Sequence, residues 1–379
     1  MPILSIEARS FANGQKMANA EISFDQMTID AVQVTLQLGG RSTVGYGLGS
    51  IGRYACTALM KERFLPRLAA HKDQLFTDPQ EALGDMDRAW HIMMANEKQG
   101  GHGERPAAVG LLQAALYDAL AKWHGVPLWQ LLAERCGNKK AQPGCFVYAS
   151  GGHFVGDRTD HLTREARQAA ERGFALYKIK IGRDAAANHQ RLEAVLASGL
   201  ALGRLAVDAN GQLEAASGGL PDGLAFIEEP AAALDYHQLA GFCATTSTAV
   251  ATGENLFSCA DMVNLLRYGG LRPHSDWLQM DSLLSYGITE YLAMLEAAQA
   301  FGFGPDRFLP HAGHLFHLQA AAGLGLGGAE LAIDDSSLFG LPKGWGEIED
   351  GHIRLPELPG AGFEEHPPIW SRLASLFAL

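Results

Sequence analysis

The stretch ALYKIKIG (175–182) and the three that follow it, RLAVDANG (204–211), AFIEEP (225–230) and TAVATGEN (248–255), repeat one pattern. Each is a short apolar run that ends in a polar or charged cluster, which is typical of a buried strand leading into a loop. Most of the intervals between such runs carry helical periodicity. Strands that alternate with helices form βαβ units, so the sequence predicts parallel strand pairing.

The same pattern extends outward on both sides of this stretch. CFVYAS (145–150) precedes it, and WLQMD (277–281), RFLPHAGH (307–314) and ELAIDD (330–335) follow it. Eight strand-like runs in about 190 residues match the count of a (β/α)₈-type barrel. One interval does not favour a crossover helix. The segment GQLEAASGGLPDGLA (211–225) contains Gly-Gly and Pro-Asp-Gly, which leave little room for one.

The first third of the chain follows other periods. Residues 1–50 alternate with period 2, as in DAVQVTLQL followed by the turn GGRS, which predicts an antiparallel hairpin. Residues 53–125 have a helical period, with AAVGLLQAALYDALAKW (107–123) as an amphipathic helix, so this part is α+β. The tail after about residue 341 carries proline-rich turns and is expected to return to the N-terminal part. We therefore divide the chain into an N-terminal domain 1–142, a barrel domain 143–340 and a C-terminal segment 341–379.

Composition limits the class of protein. The 379 residues are 47% hydrophobic and 19% charged, which is typical of a globular chain with a core that needs no disulfides. Five cysteines without a close pair indicate a reduced, cytoplasmic protein. The N-terminus lacks the apolar centre of a signal peptide, and no run of about 18 apolar residues occurs. A net charge of −12 disfavours nucleic acid or an anionic membrane as a partner.

Acidic residues stand at the ends of three successive strand-like runs. Asp208 lies in VDAN, Glu228 and Glu229 lie in IEEP, and Glu254 lies in GEN. The carboxyl ends of parallel barrel strands meet at one face, so these carboxylates are expected to converge there. A single acid at such a position is usually a solvated loop residue or a helix cap, but three in register point to a shared role. Oxygen ligands of this kind suit Mg²⁺ better than Zn²⁺.

Two lysines lie in the strand-like run that precedes these acids. Lys178 and Lys180 lie two apart in YKIKI, so both side chains point to the same face of the strand. Tyr177, Ile179 and Ile181 then form the opposite face, as expected for packing against helices. Two neighbouring ammonium groups lower each other's pKa, which leaves one of the lysines able to act as a base near neutral pH.

A carboxylate and an imidazole end the next two strand-like runs. Asp281 closes WLQMD, and His311 follows RFLP. A carboxylate behind a histidine fixes its tautomer and raises its basicity, so the pair is a candidate general acid or base. A lone histidine before a helix has a structural role about as often as a catalytic one. His314 and His317 follow at helical spacing and are interpreted as supporting or packing residues.

The order KxK, VDAN, IEEP, GEN, a strand-end Asp and a His resembles the enolase superfamily. Longer stretches are similar to its mandelate racemase and muconate lactonizing enzyme branch and, within that branch, to the D-tartrate dehydratases: NEKQGGHGER (96–105), ATGENLFS (251–258), NLLRYGG (264–270), DWLQMDSLLSYG (276–287) and PHAGH with AAGLGLGG (310–328). The resemblance runs nearly end to end. It implies an α/β fold, a modified (β/α)₇β TIM-like barrel with an α+β capping domain formed by the N-terminal third and the C-terminal tail.

The resemblance also implies an activity. It is that of a Mg²⁺-dependent acid-sugar dehydratase, a lyase of the hydro-lyase type and a cytoplasmic homo-oligomer with a small acid sugar as its partner. The metal ligands would be Asp208, Glu228 and Glu254. Glu228 is preferred over Glu229 because members of the superfamily replace the second acid of this pair and never the first.

The catalytic groups follow from the same resemblance. Lys180 would be the base that removes the proton α to the substrate carboxylate, and Lys178 would help to hold that carboxylate. His311, with Asp281, would be the acid that helps the β-hydroxyl to leave, which yields a 2-keto acid. Which of Lys180 and His311 is the base depends on substrate stereochemistry.

Substrate contacts are implied at several further positions. Lys98 matches a lysine that reaches the substrate, and Asn210 and His314 are additional candidates. Gly49 and Ile51 stand where the D-tartrate dehydratases carry asparagines, so hydrogen bonds to the substrate would be lost there. This departure leaves the reaction class intact and puts tartrate itself in doubt.

Three other interpretations remain open. GLGSIG (47–52) fits the GxGxxG pattern of an NAD-dependent oxidoreductase, but the strand before it belongs to a hairpin, and GLGLGG (323–328) follows a helical run. A racemase, epimerase or cycloisomerase of the same superfamily would use the same groups. A non-catalytic binding protein on this scaffold would not need the complete set.

Overall fold

The structure, a computed structural model, describes residues 3–13, 18–19, 21–25, 27–50, 54–101, 103–155, 158–213, 219–334, 337–341 and 345–379. The strands in these ranges are β1 Ile3–Ala12, β2 Thr28–Leu38, β3 Arg41–Leu48, β4 Gly144–Gly151, β5 Tyr177–Lys180, β6 Leu205–Asp208, β7 Ile227–Glu228, β8 Val250–Thr252, β9 Trp277–Leu278, β10 Ala329–Ala332, β11 Ile348–Glu349 and β12 His352–Arg354. The helices are α1 Cys56–Leu59, α2 Leu65–Ala70, α3 Asp85–Met93, α4 Glu104–His124, α5 Leu128–Cys136, α6 Asp160–Glu171, α7 Ala185–Leu196, α8 Tyr236–Thr245, α9 Cys259–Tyr268, α10 Ile288–Gln299, α11 Leu315–Leu324 and α12 Pro367–Phe377. A π-helical turn, Met60–Phe64, joins α1 to α2, and short 3₁₀ turns occur at Lys72–Gln74, Leu202–Arg204, Pro305–Arg307 and Phe363–Glu365.

The central feature is a barrel of parallel strands. β4 to β9 pair in chain order, and β10 pairs with β4 from the other side. The ring is completed at Phe308, which forms a single parallel bridge with Leu278 and accepts a hydrogen bond from the Gly327 N–H at 3.0 Å. The run RFLP, expected to be the seventh strand, is therefore one bridge and not a strand among the described residues. A strand ladder cannot extend through Pro310, because proline has no N–H to donate.

Helices α6 to α11 connect the barrel strands, and neighbouring helices such as α6 with α7 and α9 with α10 pack side by side. The interval between β6 and β7 differs from the rest. Its described residues form turns and contain no helix, and residues 214–218 lie outside the described ranges. The predicted fold class, a (β/α)₇β TIM-like barrel with a capping domain, is confirmed.

The N-terminal strands form a three-stranded antiparallel sheet in the order β1-β2-β3. The predicted hairpin is its second half, with Gly39 and Gly40 in the turn at φ of 57° and 80°, a conformation that glycine adopts without a Cβ penalty. α4 lies between this sheet and the barrel. A Cβ on Gly45 of β3 would lie 2.3 Å from the Ala119 N of α4, and a Cβ on Gly110 of α4 would lie 2.3 Å from the Leu283 O of the barrel.

The prediction that α4 is amphipathic was wrong. Its residues from Pro106 to Ala121 are all buried, because the helix is covered by the sheet on one side and by the barrel on the other. A helix in such a position is expected to be mostly apolar on every side, and its buried polar side chains Gln113 and Asp118 have hydrogen-bond partners within the fold. The helix thus joins the two parts of the fold through close backbone contacts.

The C-terminal segment reaches the N-terminal sheet. The Trp370 ring of α12 lies edge-on to the Tyr46 ring of β3, with the ring centroids 5.6 Å apart. Asp118 of α4 accepts hydrogen bonds from the Tyr46 N–H and from the Ala361 N–H, both at 2.7 Å. These contacts agree with the expected return of the tail, while the domain boundaries themselves stay a prediction.

Candidate active site

The strand-end acids lie at the carboxyl face of the barrel. Lys180 of β5 is in register with Asp208 of β6, and Asp208 is in register with Glu228 of β7, so the three side chains form one row across three strands. Glu254 follows β8 by two residues. One ligand oxygen each from Asp208, Glu228 and Glu254 lies within 4.8 Å of the others.

This trio fits a divalent cation by its chemistry. Asp208 and Glu228 are fully buried, and Glu254 is only 9% exposed. The Glu254 Oε2 atom is buried and accepts no hydrogen bond from the described residues, so it is available as a ligand. Burial and the neighbouring Asp208 carboxylate raise the pKa of Glu228 well above its ordinary value, so an added positive charge beside it would favour its ionised form. Three buried carboxylates with hard oxygen donors match Mg²⁺.

Glu229 has a different partner. The Asn255 side chain donates to Glu229 Oε1 at 2.8 Å, and Glu229 is not one of the three acids that converge. Its backbone, like that of Asn210 one strand earlier, is left-handed, with φ of 40° and 44° respectively. These turns at the ends of β7 and β6 send consecutive side chains in different directions, which separates Glu228 from Glu229.

The two lysines face the acids inside the barrel. Lys178 Nζ lies 2.6 and 2.7 Å from the two carboxylate oxygens of Glu228 and 3.4 Å from Glu330, and Lys180 Nζ hydrogen-bonds to Asp208. On the opposite face of β5, the Tyr177 hydroxyl donates to Glu165 of α6 at 2.7 Å.

The lysine pKa values differ from the expectation. Burial disfavours the Lys180 ammonium and Lys178 lowers its pKa further, as predicted, but the carboxylates of Asp208, Glu254 and Glu228 together outweigh both effects and raise the pKa. The Lys178 pKa is held well above its ordinary value because Glu228 and Glu330 outweigh its burial. The predicted lowering of one lysine's pKa by the other is therefore present at Lys180, but acids from neighbouring strands outweigh it.

His311 lies on the other side of the trio. Its Nε2 is 3.4 Å from Glu254 Oε2, and its Nδ1 is 3.4 Å from Asp281 Oδ2. Burial lowers the pKa of His311, but the Glu254 carboxylate and the bond to Asp281 outweigh it, and the net shift is upward. Asp281 is fully buried, and its other oxygen lies 2.9 Å from the Nε2 of His317. One carboxylate therefore contacts both histidines.

A cavity of about 570 Å³ opens above these groups. Lys180, Asn210, Glu254 and His311 line it, as does the N-terminal segment Asn19–Phe24 in its described residues. The volume lies in the usual range for a small-molecule site.

The remaining candidate substrate residues lie elsewhere. Lys98 is exposed and Gly49 is partly buried at the end of β3, and neither is part of the cavity wall. His314 is fully buried as the N-cap of α11, where its Nδ1 accepts from the Phe316 N–H, and its ring contacts Phe339 and Phe363. That position makes it a packing residue and corrects its assignment as a substrate contact. Ile51 lies outside the described residues.

Two groups near the trio, Glu330 and Gln279, could not be found by looking only at strand ends. Glu330 is the second residue of β10, opposite Tyr148 of β4, and its carboxylate contacts Lys178. Burial would raise the pKa of Glu330, but Lys178 and His311 outweigh it and lower the pKa to about 2. Gln279 donates to Glu228 Oε2 at 2.6 Å. The alternation of ELAIDD could have signalled Glu330, because an acid in a buried barrel strand needs a partner.

Comparison with known proteins agrees with this architecture. The enolase C-terminal domain-like family matches residues 161–367, more than half of the chain, and the chain belongs to that family. The GxGxxG interpretation as an NAD-dependent oxidoreductase is thereby set aside, since β3 belongs to an antiparallel sheet and not to a βαβ unit.

Individual relatives are similar over most of their length. An L-talarate/galactarate dehydratase of Salmonella typhimurium is 29% identical over 315 residues, which cover 78% of this chain and 73% of the relative. An arabinonate dehydratase of Saccharolobus solfataricus is 25% identical over 341 residues, 84% of this chain and 85% of the relative. An L-talarate dehydratase from Polaromonas sp. JS666, solved with Mg and L-glucarate, superposes with a TM-score of 0.75 at 24% identity, covering 95% of this chain and 93% of that one.

These relatives are dehydratases, which are lyases, as the sequence predicts for this chain. The predicted cofactor, Mg²⁺, agrees with the ion bound in the Polaromonas structure and with the oxygen ligands of the trio. The narrower resemblance to D-tartrate dehydratases stays a prediction. No helix in the described ranges is both long and apolar enough to cross a bilayer.

Proposed function

We propose that this protein is a Mg²⁺-dependent acid-sugar dehydratase. One observation carries the proposal: the three buried carboxylates Asp208, Glu228 and Glu254 converge between a lysine on one side and a histidine on the other. An elimination needs this arrangement, because one group must remove the α-proton while another donates a proton to the leaving hydroxyl. A cytoplasmic location and a homo-oligomeric state remain predictions.

The carboxylate trio would hold the metal ion and, through it, orient the acid end of the substrate. When bound, Mg²⁺ adds positive charge that acidifies the α-proton and offsets the carboxylates that keep the Lys180 pKa high. Lys178 keeps its ammonium beside the same site, where it balances the negative charge that develops on the substrate carboxylate. Its near-complete burial makes this interaction stronger than it would be in water.

The two proton-transfer groups then act in sequence. Lys180 Nζ takes the α-proton, and the resulting enediolate expels the β-hydroxyl. His311, held by Asp281 at Nδ1, donates a proton from Nε2 to the leaving oxygen, which departs as water. The remaining enol tautomerises to a 2-keto acid, so the atoms of the substrate are recovered as keto acid and water.

A panel of acid sugars tests the proposal, with 2-keto acid detected in the presence of Mg²⁺ and again after chelation. At least one acid sugar should be dehydrated, and chelation should abolish the reaction. Tartrate belongs in the panel because of the sequence resemblance. If no acid sugar gives a keto acid with Mg²⁺ present, the proposed activity is wrong.

A substrate deuterated at the α-carbon tests the assignment of Lys180 as the base and His311 as the acid. Lys180→Ala should lose both isotope exchange and elimination, whereas His311→Asn should still exchange deuterium while elimination falls by about 10²–10⁴-fold. Normal turnover by His311→Asn would mean that another group, and not His311, protonates the leaving hydroxyl. Exchange or epimerisation without elimination in the unmodified enzyme would indicate a racemase or epimerase instead.

A further inference from the structure

The cavity above the active site has a buried floor and an exposed rim. The floor residues Lys180, Asn210 and Glu254 are 8%, 6% and 9% exposed. At the rim, Ile22 is 42% exposed and Leu234 is 67% exposed, although both line the same cavity. A substrate whose acid end is held at the floor must therefore place its far end near the rim.

The rim is formed by two short segments. Glu21, Ile22 and Phe24 come from the N-terminal segment, and the turn 232–234 that follows β7 contributes two alanines and a leucine. The N-terminal segment is fixed locally, because Asn19 Oδ1 accepts from the N–H groups of Glu21 and Ile22, both at 2.8 Å. The Phe154 N–H, in the loop after β4, also donates to Ala18 O at 3.2 Å.

The charge at the rim, unlike that at the floor, is opposite in sign to what a diacid needs. The basic groups of the described cavity wall, Lys180 and His311, stand at the floor with the proposed metal ligands, and the charged side chain at the rim is the exposed carboxylate of Glu21. Arg183 lies beside this segment, and its guanidinium donates to Oε1 of the wall residue Gln212 at 2.5 Å, but Arg183 itself lines a neighbouring depression that shares Asn19 with the cavity. A second carboxylate at the far end of a substrate would meet Glu21 and apolar side chains, without a cation among the described residues of the rim.

We propose that the enzyme selects acid sugars with a single carboxylate, whose far end is an uncharged hydroxymethyl or methyl group. This inference rests on the proposed dehydratase activity and specifies its substrate class. Ile22, Phe24 and Leu234 provide apolar contact for such an end, while Glu21 can accept a hydrogen bond from a terminal hydroxyl. Like charges placed together at a binding site discriminate strongly against the wrong ligand. Tartrate and the hexarates carry a carboxylate at each end, so they are poor substrates on this basis.

Matched pairs of substrates test the inference in the unmodified protein. Galactonate with galactarate, gluconate with glucarate, and threonate with tartrate differ at one terminal carbon, which is a hydroxymethyl group in the first member and a carboxylate in the second. We expect kcat/KM to be at least tenfold higher for the monoacid in each pair that reacts. A diacid that is dehydrated as well as its monoacid overturns the inference and leaves the dehydratase activity established. If no member of any pair reacts, the proposed activity fails as well.

Substitution of Glu21 then tests the cause. Glu21→Arg should raise the ratio of diacid to monoacid kcat/KM at least tenfold, and Glu21→Gln should raise it by a smaller factor. Glu357→Arg makes the same change of charge at an exposed position outside the cavity wall and should leave the ratio unchanged. A ratio that is the same in Glu21→Arg and in the unmodified protein would contradict the assigned role of Glu21. The wild-type comparison decides the substrate class even if a variant fails to fold.

Discussion

Lys178 and Lys180 show which properties of a residue can be predicted from sequence. The alternation in YKIKI indicates that both side chains enter the barrel, because successive side chains of a strand point to opposite faces. The protonation of Lys178 could not be predicted, since it depends on Glu228 and Glu330, which other strands bring to the same place. Glu330 itself was missed because it lies within its strand, where a search of strand ends does not look.

Single substitutions in the acid trio should separate metal binding from general stability. Glu254→Ala is expected to remove both activity and the rise in melting temperature that Mg²⁺ produces, because Glu254 offers a buried oxygen without a hydrogen-bonding partner. At a Mg²⁺ concentration of about 100 Kd the ion would stabilise the wild type by about 2.7 kcal/mol. The measurement is thermal unfolding with and without Mg²⁺.

Glu229→Gln is the matched control for that experiment. It changes the acid next to Glu228, which bonds to Asn255 and does not converge with the trio, so the Mg²⁺-dependent shift should persist. An unchanged Mg²⁺ response in Glu254→Ala would exclude Glu254 from the ligand set. Loss of the response in Glu229→Gln would instead show that the wrong acid of the pair had been chosen.

The helices and strands were predictable where a local pattern determines them. The short apolar runs predict the strands of the barrel, and the glycines and proline between β6 and β7 predict that this interval has little room for a helix. The run RFLP looked like a strand because periodicity does not register the N–H that Pro310 lacks. The environment of α4 was misjudged because its cover comes from a sheet and a barrel distant in sequence, which no helical period can report.

The tight contacts of α4 lead to a prediction for glycine. Gly110→Ala should destabilise the protein by about 1–3 kcal/mol, because the new Cβ would lie 2.3 Å from the Leu283 O, and backbone must move to admit it. Gly241→Ala in α8 is the control, since a Cβ there meets nothing within 4 Å. Alanine is the better helix former by up to about 1 kcal/mol, so this variant should be stabilised. Urea unfolding measures the free energy of unfolding of both variants. Equal changes in Gly110→Ala and Gly241→Ala would contradict the close packing of α4.

At the scale of the whole molecule, buried neutral histidines connect stability to pH. Burial, reinforced by His317, lowers the pKa of His314 to about 3, and burial lowers the pKa of His366 in the same direction. Unfolding returns each histidine to a pKa near 6.5. The unfolded state therefore binds more protons below that value. The contribution of neutral His314 to stability is fully present above about pH 6.5 and is lost as the pH falls towards 3, and His366 acts in the same direction.

His314→Asn tests this dependence. Asparagine keeps a side-chain acceptor for the Phe316 N–H but does not titrate, so the slope of unfolding free energy between pH 6 and pH 4 should become shallower by about 1.4 kcal/mol per pH unit. Urea unfolding at a series of pH values measures the slope. A slope equal to that of the wild type would mean that His314 is already protonated in the folded state.

The return of the C-terminal segment has a consequence for synthesis. Sheet β1–β3 and α4 leave the ribosome first, yet Tyr46 is covered by Trp370, and Asp118 is satisfied in part by Ala361. These partners emerge only after the entire barrel has been translated. We therefore expect the capping domain to be completed last, so that during translation its uncovered apolar surface is open to chaperones and to aggregation.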